Sequence, residues 1–138
     1  MNIRPYQARD EAAVIALWTA CGLTRPWNDP KKDIARKLTQ QPELFLVGED
    51  YAQVVATAMF GFDGHRGWVN FLGVLPSQRG LAYGRMIMQE GERLLLQRGC
   101  PKINLQIRST NEVAIAFYKK LGYSVEEIIS MGKRLIPD

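Results

Sequence analysis

Few side chains in this sequence can do chemistry unaided. There is one histidine, His65, and there are two cysteines, Cys21 and Cys100. A structural zinc site takes four Cys or His ligands, so these three scattered residues predict no metal centre. A Ser-His-Asp or Cys-His enzyme would have to use His65 as its base. The cysteines form no C-x-x-C pair and suit neither a redox couple nor a disulfide framework. Both read as small hydrophobes.

Two other segments are better endowed. The first is Pro76-Ser77-Gln78-Arg79-Gly80-Leu81-Ala82-Tyr83-Gly84-Arg85. Glycine and alanine let a ligand come close to the backbone. A helix start presents unpaired N–H groups and a partial positive charge, which suit phosphate. Arg79 and Arg85 add full charges. Neither G-x-G-x-x-G nor G-x-x-x-x-G-K-[ST] occurs, which excludes the dinucleotide fingerprint and the P-loop. Alone, the segment fits a plain strand-to-helix turn equally well. The second segment runs from Asn111 through Phe117-Tyr118-Lys119-Lys120-Leu121-Gly122-Tyr123. Asn111 and Tyr118 are nearly two helical turns apart and share a face, with Phe117 and Leu121 directed to the core from another. A phenol off the apolar stripe is available for chemistry, or is simply half-buried beside a water.

The elements that must position these segments follow from pattern. The 138 residues are 46% hydrophobic and 23% charged, which predicts a single domain over 1–138 with a core of its own. Residues 3–6 read as a strand. Asp10 caps a helix with Ala13, Val14, Leu17, Trp18 and Cys21 inward, stopped by Gly22. A loop over 24–30 ends on Asp29 as cap, with Pro30 in the first turn of a helix over 31–40. Its inward positions are Ile34, Leu38 and Ala35. Strands over 44–47, 54–60 and 68–75, separated at Gly48-Glu49-Asp50 and Asp63-Gly64-His65-Arg66-Gly67, predict an antiparallel meander. A helix over 81–98 follows, with Gly84, Ile87, Met88, Gly91, Leu94 and Leu95 on one face. Gly91 is tolerated there if the helix approaches the sheet closely. A strand over 102–107, parallel to the one before the helix, leads to a helix capped by Asn111. Residues 123–136 read as one or two closing strands. The result is an α/β fold with a mixed, mostly antiparallel sheet, in the order β-α-α-β-β-β-α-β-α-β.

No apolar run approaches the ~18 residues of a membrane span. The start lacks the apolar stretch of a signal peptide, so a cytoplasmic protein without a membrane partner is expected. Lys and Arg number 18 against 14 Asp and Glu, a net charge of +4. The basic doublets Lys31-Lys32, Arg36-Lys37, Lys119-Lys120 and Lys133-Arg134 are dispersed. Nucleic-acid binding wants a denser stripe with aromatics interleaved, and a small polyanion fits this charge at least as well.

Together the two segments resemble the GCN5-related N-acetyltransferases, the GNAT family. The first matches the family's acetyl-CoA-binding pattern Q/R-x-x-G-x-G/A, opened by Arg79 and closed by Gly84, with Ala82 at the middle glycine. The second resembles the family's N-x-x-A-x-x-F-Y-x-x-x-G-F/Y stretch at Asn111, Ala114, Phe117, Tyr118, Gly122 and Tyr123. The chain is also similar to the small bacterial YpeA-type acetyltransferases, including Arg25-Pro26-Trp27-Asn28-Asp29-Pro30. The resemblance implies a single-domain GNAT-like fold in which a central parallel strand pair splays to admit acetyl-CoA. Backbone N–H groups of Gly80, Leu81, Ala82, Tyr83, Gly84 and Arg85 would hold the pyrophosphate. Leu72, Gly73 and Val74 would hold the pantetheine arm and thioester carbonyl, and Asn111 would reach the same arm. Ala82 is expected to weaken this binding without abolishing it.

The implied reaction is acetyl transfer from acetyl-CoA to a primary amine by direct attack, with Tyr118 protonating the leaving thiolate. The acceptor would be a small-molecule or peptide amine bound beside Trp27, Asn28 and Asp29. Family members often carry a glutamate on the strand over 68–74, where this chain has Asn70. Asp63, His65 and Asp29 are the remaining candidates for a base. A non-catalytic acyl-CoA-binding regulatory domain of the same fold is the alternative. A basic nucleic-acid-binding domain rests on charge alone. A homodimer is one possible assembly.

Overall fold

The computed structural model describes residues 1–138. The segments rich in β-branched and aromatic residues form β1 (Asn2–Pro5), β2 (Phe45–Asp50), β3 (Gln53–Phe62), β4 (Gly67–Val74) and β5 (Ile103–Asn104). They make one five-stranded sheet in the order β1-β2-β3-β4-β5. The first four strands are antiparallel neighbours and β5 joins β4 in parallel. The helices are α1 (Glu11–Ala20), α2 (Pro30–Lys37), α3 (Tyr83–Gln97) and α4 (Glu112–Lys120). The α/β class and the element order through α4 agree with the sequence expectation.

The chain divides into two compact units, Met1–Asn104 with Asp138, and Leu105–Pro137. The first holds the sheet and α1 to α3. On one face of that sheet, Val14, Leu17 and Trp18 of α1 and Ile34 of α2 cluster with Tyr6, Phe45, Val47 and Met59. Side chains alternate along a strand, so Phe60, next to Met59, turns to the opposite face. There it meets α3 at Gly91, where an added Cβ would run into the Phe60 ring. The glycine inside that helix is therefore a place of close approach, as its position suggested.

Several expectations are corrected. Residues 123–136 form no strand. The strand expected over 102–107 pairs only at Ile103 and Asn104, too short a ladder for a closing strand to extend. The parallel pair therefore lies at the sheet edge and not at its centre. Gly48 does not end β2, which continues through Glu49 and Asp50 with a register irregularity at Gly48/Glu49. The turn is Tyr51-Ala52, with φ of 50° and 62°. This is the backbone of a type I′ hairpin, made without the Asn or Gly that usually announces it.

Asp10 does not cap α1 with its side chain. Its carboxylate accepts from the Gln7 N–H at 2.8 Å and from both Arg4 terminal nitrogens at 2.8 and 3.0 Å. Arg4 also reaches Glu49 at 2.6 Å, so this ion triad ties β1 and β2 to the start of α1. Asp29 does cap α2, accepting from the Lys31 N–H at 2.9 Å. Ala13 of α1 is exposed, and so are Ala35 and Leu38, since Ile34 is the buried residue of α2.

Candidate active site

Strand β4 carries one residue too many for its partner. Thr57 pairs with Gly73 and Met59 with Asn70, so two steps along β3 match three along β4. The extra residue makes a bulge. Phe71 absorbs it in the left-handed region at φ 54°. The consequence is a change of face. An added Cβ on Gly67 would meet Cys100 and Leu95, whereas one on Gly73 would meet Leu17, Cys21 and Leu23. Both positions are odd, and a regular strand would put them on one face. The Phe71 carbonyl accepts from the Thr57 hydroxyl at 2.9 Å, and Thr57 Oγ1 accepts from Trp18 Nε1 at 3.0 Å. The Cys21 thiol donates to the Val74 carbonyl at 3.2 Å. Pairing with β5 covers only Gly67 and Trp68. Beyond them, the outer edge of β4 has no strand partner.

The chain leaves β4 through the single 3-10 turn Pro76–Gln78 and enters α3 at Tyr83. The Arg79 Nε donates back to the Val74 carbonyl at 3.2 Å. Gly80 has φ 87°, and nothing lies within 4 Å of where its Cβ would be. Ala82, at φ 63°, is the residue before α3 and gives it no side-chain cap, and the first turn holds no acidic residue. The early N–H groups of a helix have no intrahelical acceptor, so this start can receive an anion. Arg79, Leu81 and Arg85 are exposed around it. The Tyr83 phenol donates to Asp50 at 2.6 Å, which holds the first turn of α3 against the β2–β3 hairpin. That bond also raises the phenol's pKa. These residues fit a diphosphate ester: open backbone donors, two cations and no acidic residue in the helix's own first turn, with the Asp50 carboxylate engaged by the Tyr83 phenol.

The loop between α1 and α2 is braced by Arg25, whose guanidinium donates to the carbonyls of Gly22 and Thr24 at 2.7 and 2.9 Å. Trp27 is 54% exposed, so it is not a core anchor. The Asn28 N–H closes a turn onto the Arg25 carbonyl at 3.1 Å. Asp63 and His65 are set apart from the α3 turn. Asp63 accepts from the N–H groups of His65 and Arg66 at 2.8 and 2.7 Å and from the Trp68 indole at 3.3 Å. Those backbone donors hold its carboxyl below the usual range. It precedes β4, whereas Leu72, Gly73 and Val74 end it; at about 3.3 Å per residue that separation is roughly 20 Å.

In the second unit, Asn111 caps α4, its Oδ1 accepting from the Ala114 N–H at 3.1 Å. Tyr118 packs edge-on to Phe117 and Tyr123, with ring centroids 5.1 and 5.6 Å apart. Burial pushes its phenol up to about 12. Sequence reasoning placed Trp18 in the core but did not find its link to Thr57 and Phe71. The one signal was a lone hydroxyl in the apolar stretch from Val54 to Phe60, since a buried polar group needs partners.

Residues 11–123 match the family model for the acetyltransferase (GNAT) family. The chain is 47% identical over 138 residues to Acetyltransferase YE1169 of Yersinia enterocolitica, covering all of this chain and 98% of that protein. Among solved structures it is similar in fold to Ard1 from Thermoplasma volcanium, with a TM-score of 0.82 at 22% identity, over 91% of this chain and 83% of that one. It is also similar to AAC(6')-Iy in complex with a CoA-containing bisubstrate analogue, with a TM-score of 0.80 at 15% identity, over 96% and 97% of the two chains. The bulged strand, the anion-receptive helix start and the full-length relatives agree: the chain belongs to the GNAT family and is an acetyltransferase.

Proposed function

We propose that this acetyltransferase uses acetyl-CoA as donor and a primary amine, of a small molecule or a peptide, as acceptor. The observation that carries the reading is the uncapped start of α3, flanked by Arg79 and Arg85, after a bulged strand whose outer edge has no strand partner beyond Trp68. Bound acetyl-CoA supplies an acyl group activated as a thioester. Gly80, Leu81, Ala82, Tyr83, Gly84 and Arg85 hold the diphosphate through backbone N–H groups, helped by the arginine charges. Leu72, Gly73 and Val74 hold the pantetheine arm, and an N–H near Val74 stabilises negative charge developing on the thioester oxygen. Asn111 binds the same arm. Trp27, Asn28 and Asp29 line the acceptor side.

In this reading Tyr118 serves the leaving sulfur. A phenol held at about 12 stays protonated at neutral pH and is a weaker acid than a thiol of pKa about 8.5. Its role is therefore a hydrogen bond to the sulfur as charge develops, with the thiolate taking its final proton from water. The amine must be neutral to attack. At pH 7 this costs about 4.6 kcal/mol for a lysine-like amine and about 1 kcal/mol for an α-amine.

Calorimetric titration with acetyl-CoA, followed by a thiol-release screen over α-amines, lysine-like amines and polyamines, tests the proposal. Saturable binding with release that depends on the amine is expected. Absence of binding at millimolar acetyl-CoA would overturn it. Tight binding without turnover on any amine would assign the regulatory alternative.

A further inference from the structure

The bulge that turns Gly73 to the α1 side has its own restraint. Thr57 is fully buried, at 0% exposure, and its hydroxyl links two residues far apart in sequence. Trp18 Nε1 can only donate, so its bond to Thr57 Oγ1 at 3.0 Å commits the hydroxyl proton to the Phe71 carbonyl at 2.9 Å. The Trp18 ring also stacks on the Phe71 ring, with centroids 3.9 Å apart and planes 14° from parallel. One tryptophan thus fixes Phe71 twice, by its ring directly and by its carbonyl through Thr57. Phe71 needs such a restraint, because a left-handed backbone is unfavourable for a residue with a Cβ. Without it the strand is freer to slip toward regular register, which would redirect every side chain beyond the bulge.

We propose that Thr57 is a positioning residue for acetyl transfer: by pinning the Phe71 carbonyl it sets the direction in which Leu72, Gly73 and Val74 present their backbone to the thioester. The assignment rests on the acetyl-CoA reading above. It touches neither donor nor acceptor, so its signature is a change in donor KM that follows the hydrogen-bonding power of the side chain at 57 and not the stability of the fold.

The test is a graded series, Thr57→Ser, Thr57→Cys and Thr57→Val, assayed by thiol release with melting curves in parallel. Serine keeps the hydroxyl, cysteine donates weakly, and valine cannot donate. The KM for acetyl-CoA should stay at the wild-type value in the serine variant and rise in cysteine. It should rise roughly tenfold in valine, in which the Phe71 carbonyl and the Trp18 indole both lose their partner. The acceptor KM should be unchanged. Ile34→Val, in the same core but away from the relay, should lower the melting temperature without moving the donor KM. Should Thr57→Val fail to fold, the serine and cysteine variants decide. A donor KM that is flat across the folded variants, or that moves equally in Ile34→Val, overturns the assignment while wild-type acetyl-CoA binding preserves the reading beneath it. Absence of wild-type binding overturns both.

Discussion

Ala82 is the residue at which this chain departs from the family pattern, and its backbone explains why glycine is usual there. At φ 63° it occupies a region that costs an L-residue roughly 1–2 kcal/mol. If the diphosphate binds this turn as proposed, the Ala82 methyl group also stands in the approach. Ala82→Gly should tighten acetyl-CoA binding; a steric obstruction of about 1 kcal/mol corresponds to roughly fivefold. Calorimetry on the variant checks this, and unchanged affinity would show that the methyl points away from the ligand. Tyr118 makes a different demand. With its phenol pushed up to about 12, it keeps its proton through the assay range, so it adds no falling limb to the pH–rate profile between pH 7 and 10. Tyr118→Phe should lower the rate of thiol release about a hundredfold, as for loss of one donor to developing charge, at every pH in that range. A loss confined to one side of the profile would instead mean that the phenol titrates.

At the scale of elements, the sequence was most legible where period and turn chemistry agreed. The stripe of Val14, Leu17 and Trp18, the Asp29-Pro30 start of α2 and the buried face of α3 all occur where spacing placed them. Legibility failed where long-range contacts overrode local signal. Nothing in Tyr51-Ala52 announces a hairpin. Phe71 carries no mark of a left-handed backbone, because its restraint comes from Trp18 and Thr57, elsewhere in the sequence. Asp10 looked like a cap but is held by Arg4. The Arg4 hydrogen bond, and then the Gln7 N–H, lower its carboxyl's pKa against the opposing effect of burial. The folded value thus lies below the unfolded one. The stabilisation is complete above about pH 4 and is lost as pH falls through the folded value. Asp10→Asn should cost about 1–3 kcal/mol at pH 7 and flatten the dependence of stability on pH below 4; denaturant melts at pH 3 and pH 7 measure both. Gly91→Ala tests the contact of α3 with the sheet. Helix propensity favours alanine by about 1 kcal/mol, but its methyl would enter the buried Phe60 ring, so net destabilisation of about 2 kcal/mol is expected. A stabilised variant would mean that α3 can move away from the sheet.

At the scale of the whole molecule, the chain leaves the first unit after Asn104 and returns to it with Asp138. The Asp138 carboxylate accepts from Arg36 at 2.6 Å and from the Asp29 N–H at 2.9 Å, and its carbonyl accepts from Lys32 at 3.0 Å. The family pattern over 111–123 was readable because it combines a capping asparagine with an aromatic pair. The missing strands over 123–136 were not, since alternation marks what can pair and not what finds a partner. The account's central claim is transfer of an acetyl group from acetyl-CoA to an amine. Its most direct measurement is thiol release from acetyl-CoA, with and without a panel of primary amines that includes a peptide with a free N-terminus. The account predicts release that saturates in acetyl-CoA and requires an amine. Release no faster than without enzyme, for every amine at millimolar acetyl-CoA, would contradict it.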